Sequence, residues 1–389
     1  MPDVQPIRAF LTESHHAWAA DMVEMSADVL GARPEPQTDD EGRLEARELL
    51  TLMGDAGAFE PIGTRDLRAC CLAREAVAYA SPLADAVWAL QGLGITPLLL
   101  AASDELRERW APTALEGESM GAFAMTEPEA GSDVASMTTR AVHDGDDYVL
   151  DGEKWFISNA GIADYYVVFA STDPEAGSRG ISAFLVPAGT AGLEFAGAQV
   201  MSAPHPLGRI VLDGCRIPEA NRIGDEGRGF MIGMATLDQL RPTVGAAACG
   251  MARRALDEAI AHARTRRQFG SSLAEFQIIQ DKLGRMAIDL EASRLLVYQA
   301  AYEKDHGADR ITVEAARAKA FSTEAAQRII DDAIQIFGGR GVLAESMVDR
   351  LYRSVRSLRI YEGTTEIQHL IVAGDLLKRA AAAEKENDS

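Results

Sequence analysis

The sequence predicts a mainly α protein of the α+β class, built from helices, then a small β domain, then a helical bundle. Three observations predict this order. Residues 7 to about 120 are rich in Ala, Leu and Glu, with breaks at Gly31–Pro36, Gly54–Gly57, Pro61–Gly63, Pro82 and Gly92–Pro97. Between about 121 and 228, short β-branched and aromatic runs are separated by turn dipeptides such as Asp144-Gly145, Asp151-Gly152 and Asp213-Gly214. After Gly229 long helical patterns return. With 389 residues the chain exceeds what one hydrophobic core supports, and the expected boundaries are 1–120, 121–228 and 229–389.

Each part has its own signals. In the middle region the runs Tyr148–Leu150, Trp155–Ile157, Tyr165–Ala170, Ile181–Val186 and Arg209–Leu212 follow closely without intervening helices, which predicts an antiparallel barrel or sandwich. In the last region Val244–Ala263, Leu273–Asp305, Thr312–Phe337 and Ala344–Arg359 read as helices. Gly338-Gly339 stops the third, and Ala380–Ser389 reads as a frayed tail.

Composition narrows the function. Lys and Arg total 38 against 59 acidic residues, a net charge of −21, which disfavours nucleic acid and anionic membranes as partners. Cys70, Cys71, Cys215 and Cys249 show no metal spacing and read as reduced thiols; no metal site is expected. The N-terminus lacks the features of a signal peptide, and Ala86–Ala102 is interrupted by Gly92, Gly94 and Pro97, so a cytoplasmic chain without a membrane span is expected. No dinucleotide fingerprint, P-loop or nucleophile elbow occurs.

Chemistry gathers at a few stretches. Ile360–Gln368 places Glu362 between an aromatic and a glycine, ahead of an apolar helical stripe. It reads as a carboxylate held at a helix entrance, or as a solvated Glu before a C-terminal helix. Phe123–Asp133 joins the helical region to the strands. Its small and hydroxyl residues either expose N–H groups to a ring edge or phosphate, or form an ordinary polar linker. In Gly152–Gly161, Phe156 and Ser158 share one face of a strand, an aromatic to stack beside a hydroxyl to hydrogen-bond; a plain hairpin with a core Phe is the alternative.

Taken together, TEPEAGSD at 126–133, GEKWFISNAG at 152–161, RRQFG at 266–270 and QIFGGRG…YEGTTEIQ from 335 to 368 resemble the acyl-CoA dehydrogenase family over roughly residues 10 to 380. The resemblance implies a C-terminal four-helix bundle, bound FAD, an acyl-CoA substrate, an electron-transfer flavoprotein as acceptor, and a homotetramer built as a dimer of dimers. It implies Glu362 as the base that takes the substrate α-proton, since Leu240 fills the alternative base position. It assigns Phe123, Met125, Thr126, Phe156 and Ser158 to the flavin, and Thr364 and Glu366 to its diphosphate and ribose. Arg266, Phe269, Phe276, Gln277, Gln335 and Gly339 match the set that a neighbouring subunit contributes to FAD. Ser132, Asp238 and Arg241, with Tyr361 and Gly363, fall at substrate positions. Phe156 stands where many members have Trp, and Ser158 takes a Thr place. Met201–Gly208, with two prolines and His205, replaces a Gly-x-Arg-x-Ser-x-Thr strand, so this edge is expected to be remodelled. A carrier-protein-bound acyl or aminoacyl substrate is a variant of the same reading. A DNA-binding flavoprotein of this fold is the competing class, against which the acidic balance argues.

Overall fold

The computed structural model describes residues 3–31 and 33–387. The expectations that involve Met1, Pro2, Ala32 or the last two residues lie, for those residues, outside the described chain. The element order is helices, strands, helices. First come α1 (Glu13–Met25), α2 (Asp39–Asp55), α3 (Glu60–Thr64), α4 (Leu67–Ala80), α5 (Pro82–Ala101) and α6 (Asp104–Leu115). Then follow β1 (Gly121–Ala124), β2 (Arg140–Asp144), β3 (Asp147–Ser158), β4 (Tyr165–Ser171), β5 (Ile181–Pro187), β6 (Leu193–Ala198), β7 (Leu207–Pro218) and β8 (Arg222–Ile223). Last come α7 (Gly229–Thr265), a small hairpin of β9 (Arg267–Gln268) and β10 (Ser271–Ser272), α8 (Gln277–Asp305), α9 (Thr312–Phe337), α10 (Met347–Leu358) and α11 (Thr365–Asn387). The chain forms two compact units, one of Met1–Gly31, Asp66–Pro82 and Arg241–Ser389, the other of Ala32–Arg65 and Leu83–Leu240.

The first unit is helical and closely packed through small residues. A methyl added at Gly245 would lie 2.7 Å from Val297, and one at Gly250 2.2 Å from the Glu75 carbonyl. Arg294 and Glu75 form a fully buried pair at 2.7 Å, and the Tyr298 hydroxyl donates to the same carboxylate at 2.8 Å. Breaking such a pair costs several kcal/mol, about 3–5, because it strands a charge. His15, Asp66 and Asp305 meet at the start of α4. Asp66 caps the helix at the Ala69 N–H and bonds His15, while Asp305 accepts from the N–H groups of Leu67 and Arg68 and from the Arg68 guanidinium. These three side chains are a capping network. The expected frayed tail is instead helical through Asn387, because Ala380–Ala383 are strong helix formers.

In the second unit the sheet order is β6-β7-β3-β2-β4-β5-β8, with β1 added beside β4. The expected antiparallel barrel or sandwich is corrected in one respect: β1 runs parallel to β4, and β2 touches β4 in parallel at Arg140 and Ser171, so the sheet is mixed. The chain enters the sheet through β1 after a helical segment rather than by a hairpin, which frees it to pair in parallel. Helix α5 corrects a second expectation, since Gly92–Pro97 does not break it. Thr96 bonds back to the Gly92 carbonyl, and Gly94 lets the helix touch Gly121. By length and composition α5 could cross a bilayer, but 83% of its most apolar window is buried in protein.

Candidate active site

Glu362 lies in a three-residue clamp within the first unit. Its φ is +54°, an outlier for a residue with a Cβ, and Gly363 follows at +94°. Three successive carbonyls are gripped from below. The fully buried Lys319 ammonium donates to the Tyr361 carbonyl at 2.7 Å and to the Gly363 carbonyl. Arg241 Nε donates to the Glu362 carbonyl at 3.0 Å, and the Gln368 amide to that of Gly363 at 3.0 Å. Thr364 then begins α11 with its hydroxyl toward the Ile367 N–H. Burial pushes the Lys319 ammonium down to about 8, and the Glu362 carboxylate beside it pulls the other way. Lys319 and Gln368 are sequence positions to which no role was assigned. The available signal was a lysine on the alanine-rich buried face of α9, among Ala315, Ala316, Ala318 and Ala320.

In the second unit the stretches 126–133 and 152–161 lock onto each other. Glu127 accepts from the Thr138 and Thr139 N–H groups, the Thr138 hydroxyl and the Lys154 ammonium at 2.8 Å. Burial pushes the Glu127 carboxyl up, but Lys154 and these donors outweigh it and hold it down at about 2. The Trp155 N–H donates to the Thr126 carbonyl at 2.9 Å. Met125 is buried because Gly233 leaves room for it: a methyl there would lie 2.3 Å from the Met125 terminal carbon.

Beyond Lys154, β3 bulges against β7. The register slips between Lys154 and Ile157, and Phe156 takes φ +55°. Lys154 and Ile157 turn inward, while Phe156 is 57% exposed and Ser158 partly so. Next to them residues 199–206 lie outside the strands, and His205 reaches Ser158.

The remaining positions scatter by role. Ser132 is exposed. Asp238 and Arg241 are buried three residues apart on α7, and Leu240 packs with Leu93 and Leu237. Phe123 packs against Phe169 with ring centroids 4.9 Å apart and the planes tilted by 55°. In the first unit Tyr361 and Thr364 are partly buried, and Glu366 is exposed. Arg266 and Phe276 flank the β9–β10 hairpin and Phe269 stands almost fully exposed in its turn; Gln277, Gln335 and Gly339 are also exposed. Stacking of His262 on Phe337 at 4.2 Å ties the Arg266 end of α7 to the Gly339 end of α9. Burial, with Arg340 and Arg266 nearby, lowers the His262 pKa and so favours the neutral ring.

The family model for the acyl-CoA dehydrogenase middle domain matches residues 122–215, and that for the C-terminal domain residues 227–377. A probable acyl-CoA dehydrogenase, fadE25, of Mycobacterium leprae is 40% identical over 315 residues, 80% of this chain and 81% of its own. This chain belongs to the acyl-CoA dehydrogenase family. It is accordingly an oxidoreductase. The caffeyl-CoA reductase-Etf complex subunit CarC of Acetobacterium woodii is 41% identical over 73% of this chain and 75% of its own. The butyryl-CoA dehydrogenase structure from Megasphaera elsdenii superposes with a TM-score of 0.88 at 34% identity, covering 94% of this chain and 99% of that one. The family is one of flavoproteins, and the donor set here fits such a group. Within the second unit an exposed ring on a bulge stands two residues from the Ser158 hydroxyl, which suits a flavin ring; within the first, an exposed end carrying Arg266 and Arg340 suits a diphosphate.

Proposed function

We propose that this chain dehydrogenates an acyl-CoA thioester to the trans-2-enoyl-CoA, with Glu362 as the base. The clamp around Glu362 carries this reading. A carboxylate held at positive φ over two buried cations is preorganised for one task at one place. Glu362 takes the α-proton onto its carboxylate, and the electrons of that C–H bond become the new C=C as the β-hydrogen departs. Bound FAD would supply the two-electron chemistry for that hydrogen, with an electron-transfer flavoprotein as the onward acceptor. The carbonyl grip fixes the Glu362 backbone, whose N–H serves as a donor to the thioester oxygen, worth about 3 kcal/mol in such arrangements.

The same reading gives the other residues their work. Phe123, Met125, Thr126, Phe156 and Ser158 hold the flavin ring; Thr364 and Glu366 hold its diphosphate and ribose side. Arg266, Phe269, Phe276, Gln277, Gln335 and Gly339 of a second copy complete the nucleotide site. Ser132, Asp238 and Arg241 receive the CoA portion, with Tyr361 and Gly363 beside the thioester. Exposed Phe269, Ile278, Leu370, Leu376 and Leu377 support assembly of copies, as a homotetramer of three-domain protomers divided at 120 and 228. The relative from Acetobacterium woodii, named for an Etf complex, supports the acceptor. The test is Glu362→Gln assayed with an artificial acceptor across short, branched, cyclic and long acyl-CoAs. Turnover falls by about 10²–10⁴-fold while the purified protein stays yellow. Full turnover in this variant would move the base elsewhere.

A further inference from the structure

The segment from Gln199 to Leu207, a departure from the family pattern, is bonded to the bulge at successive points. Gln199 Oε1 accepts from the Phe156 N–H at 2.8 Å, His205 Nε2 lies 2.7 Å from Ser158 Oγ, and the Pro206 carbonyl accepts from the Asn159 N–H at 2.6 Å. The segment is itself anchored. Arg43 donates to the carbonyls of Ala160 and Leu207 at 2.6 and 2.7 Å and is paired with Asp39, and Pro204 packs on Gly42.

A serine hydroxyl has one proton to donate and two lone pairs, and it rotates freely until a partner fixes it. His205 is such a partner. We propose that His205 is a positioning residue that fixes the Ser158 hydroxyl for the flavin ring, doing by hydrogen bonding what the branched side chain of Thr would do by restricting rotation. This rests on the flavin reading above. Because the imidazole takes one of the hydroxyl's hydrogen-bonding positions, the others are presented in a set direction to whatever lies over Phe156. Burial pushes the imidazole down to about 4, with Asp39 raising and Arg43 lowering it, so the ring is uncharged at neutral pH and adds no charge beside the flavin.

The test uses the full chain reconstituted with FAD, in the wild type, His205→Ala, His205→Gln, Ser158→Ala and the double Ala variant. The flavin reduction potential is measured by dye equilibration and FAD affinity by fluorescence titration. His205→Ala is expected to shift the potential in the same direction as Ser158→Ala and to weaken FAD binding about fivefold, one hydrogen bond's worth. The double variant should go no further than Ser158→Ala alone. His205→Gln, whose amide replaces Nε2, should restore most of the difference. An unmoved potential in His205→Ala, additive shifts in the double variant, or failure of Gln to restore would each overturn the proposal. If His205→Ala retains no FAD, the Gln variant decides by the same criterion. A wild-type chain that takes up no FAD overturns the flavin reading and this proposal with it; a yellow wild type that fails the other criteria overturns this proposal alone.

Discussion

Phe156 and Glu362 both sit at positive φ, +55° and +54°, where a side chain with a Cβ is strained, yet different chemistry restrains them. Around Phe156 the immediate partners are neutral: the Gln199 amide, the His205 imidazole and the Pro206 carbonyl. The nearby cation, Arg43, is balanced by Asp39 at 2.6 Å. Around Glu362 two buried cations, Lys319 and Arg241, hold the backbone itself. A segment that carries a carboxylate gains from positive charge beneath it, because that charge fixes the loop and favours the anion together. A segment that offers a ring face gains only rigidity, and neutral acceptors at Gln199 and Pro206 supply that beside Phe156, with the buried Lys154–Glu127 pair two residues up the strand.

The sharpest way to break this contrast is to remove a charge from each region. Lys319→Met leaves the Tyr361 carbonyl without its buried donor and the Gly363 carbonyl with Gln368 alone. It should cost about 3 kcal/mol in urea unfolding and abolish most turnover, whereas an unchanged midpoint would reduce the clamp to a packing detail. Glu127→Gln strands the Lys154 ammonium, which is fully buried, and a loss of about 3 kcal/mol at neutral pH is expected. The same carboxyl gives a pH signature. Its folded value of about 2 lies below the ordinary 4.5, so the unfolded chain binds more protons between those values. Stability from this group is therefore complete above about pH 4.5 and is lost as pH falls toward 2. Unfolding midpoints across that window should decline in the wild type, and the Glu127→Gln variant should lack this contribution. The smallest effect is expected from Phe156→Gly, which relieves the positive φ for roughly 1 kcal/mol of stability and weakens FAD binding by loss of the ring. Equal or tighter FAD binding in that variant would detach the bulge from the cofactor.

Much of the fold was legible because periodicity and turn dipeptides report local structure. Helix α9 runs from Thr312 to Phe337 as its pattern indicates, and Gly338 ends it at φ +62°. Two features were not legible. Parallel pairing of β1 with β4 is set by what precedes β1, not by its four residues. The continuity of α5 through Pro97 depends on packing against Gly121 and on burial, which outweigh propensity. At the site, motif spacing named exposed residues such as Phe156 and Ser132 and also buried ones such as Met125 and Arg241. It missed those that hold them from behind, such as Lys319, Gln368 and the Lys154–Glu127 pair, whose partners are distant in sequence or are backbone carbonyls.

Helix α5 carries a consequence for biogenesis. Trp88 meets Ala58 and Phe59, which precede the helix, but the helix's other face is covered by residues made later: Gly94 rests on Gly121 and the Tyr165 hydroxyl, and Gly92 on Leu240. During translation at about 5–20 residues per second, this face emerges greasy and uncovered for on the order of ten seconds before Leu240 is made. Nascent chains arrested within that interval would be the ones to interact with chaperones, and variants that delay the strands would be expected to aggregate at the ribosome before the finished protein shows any defect.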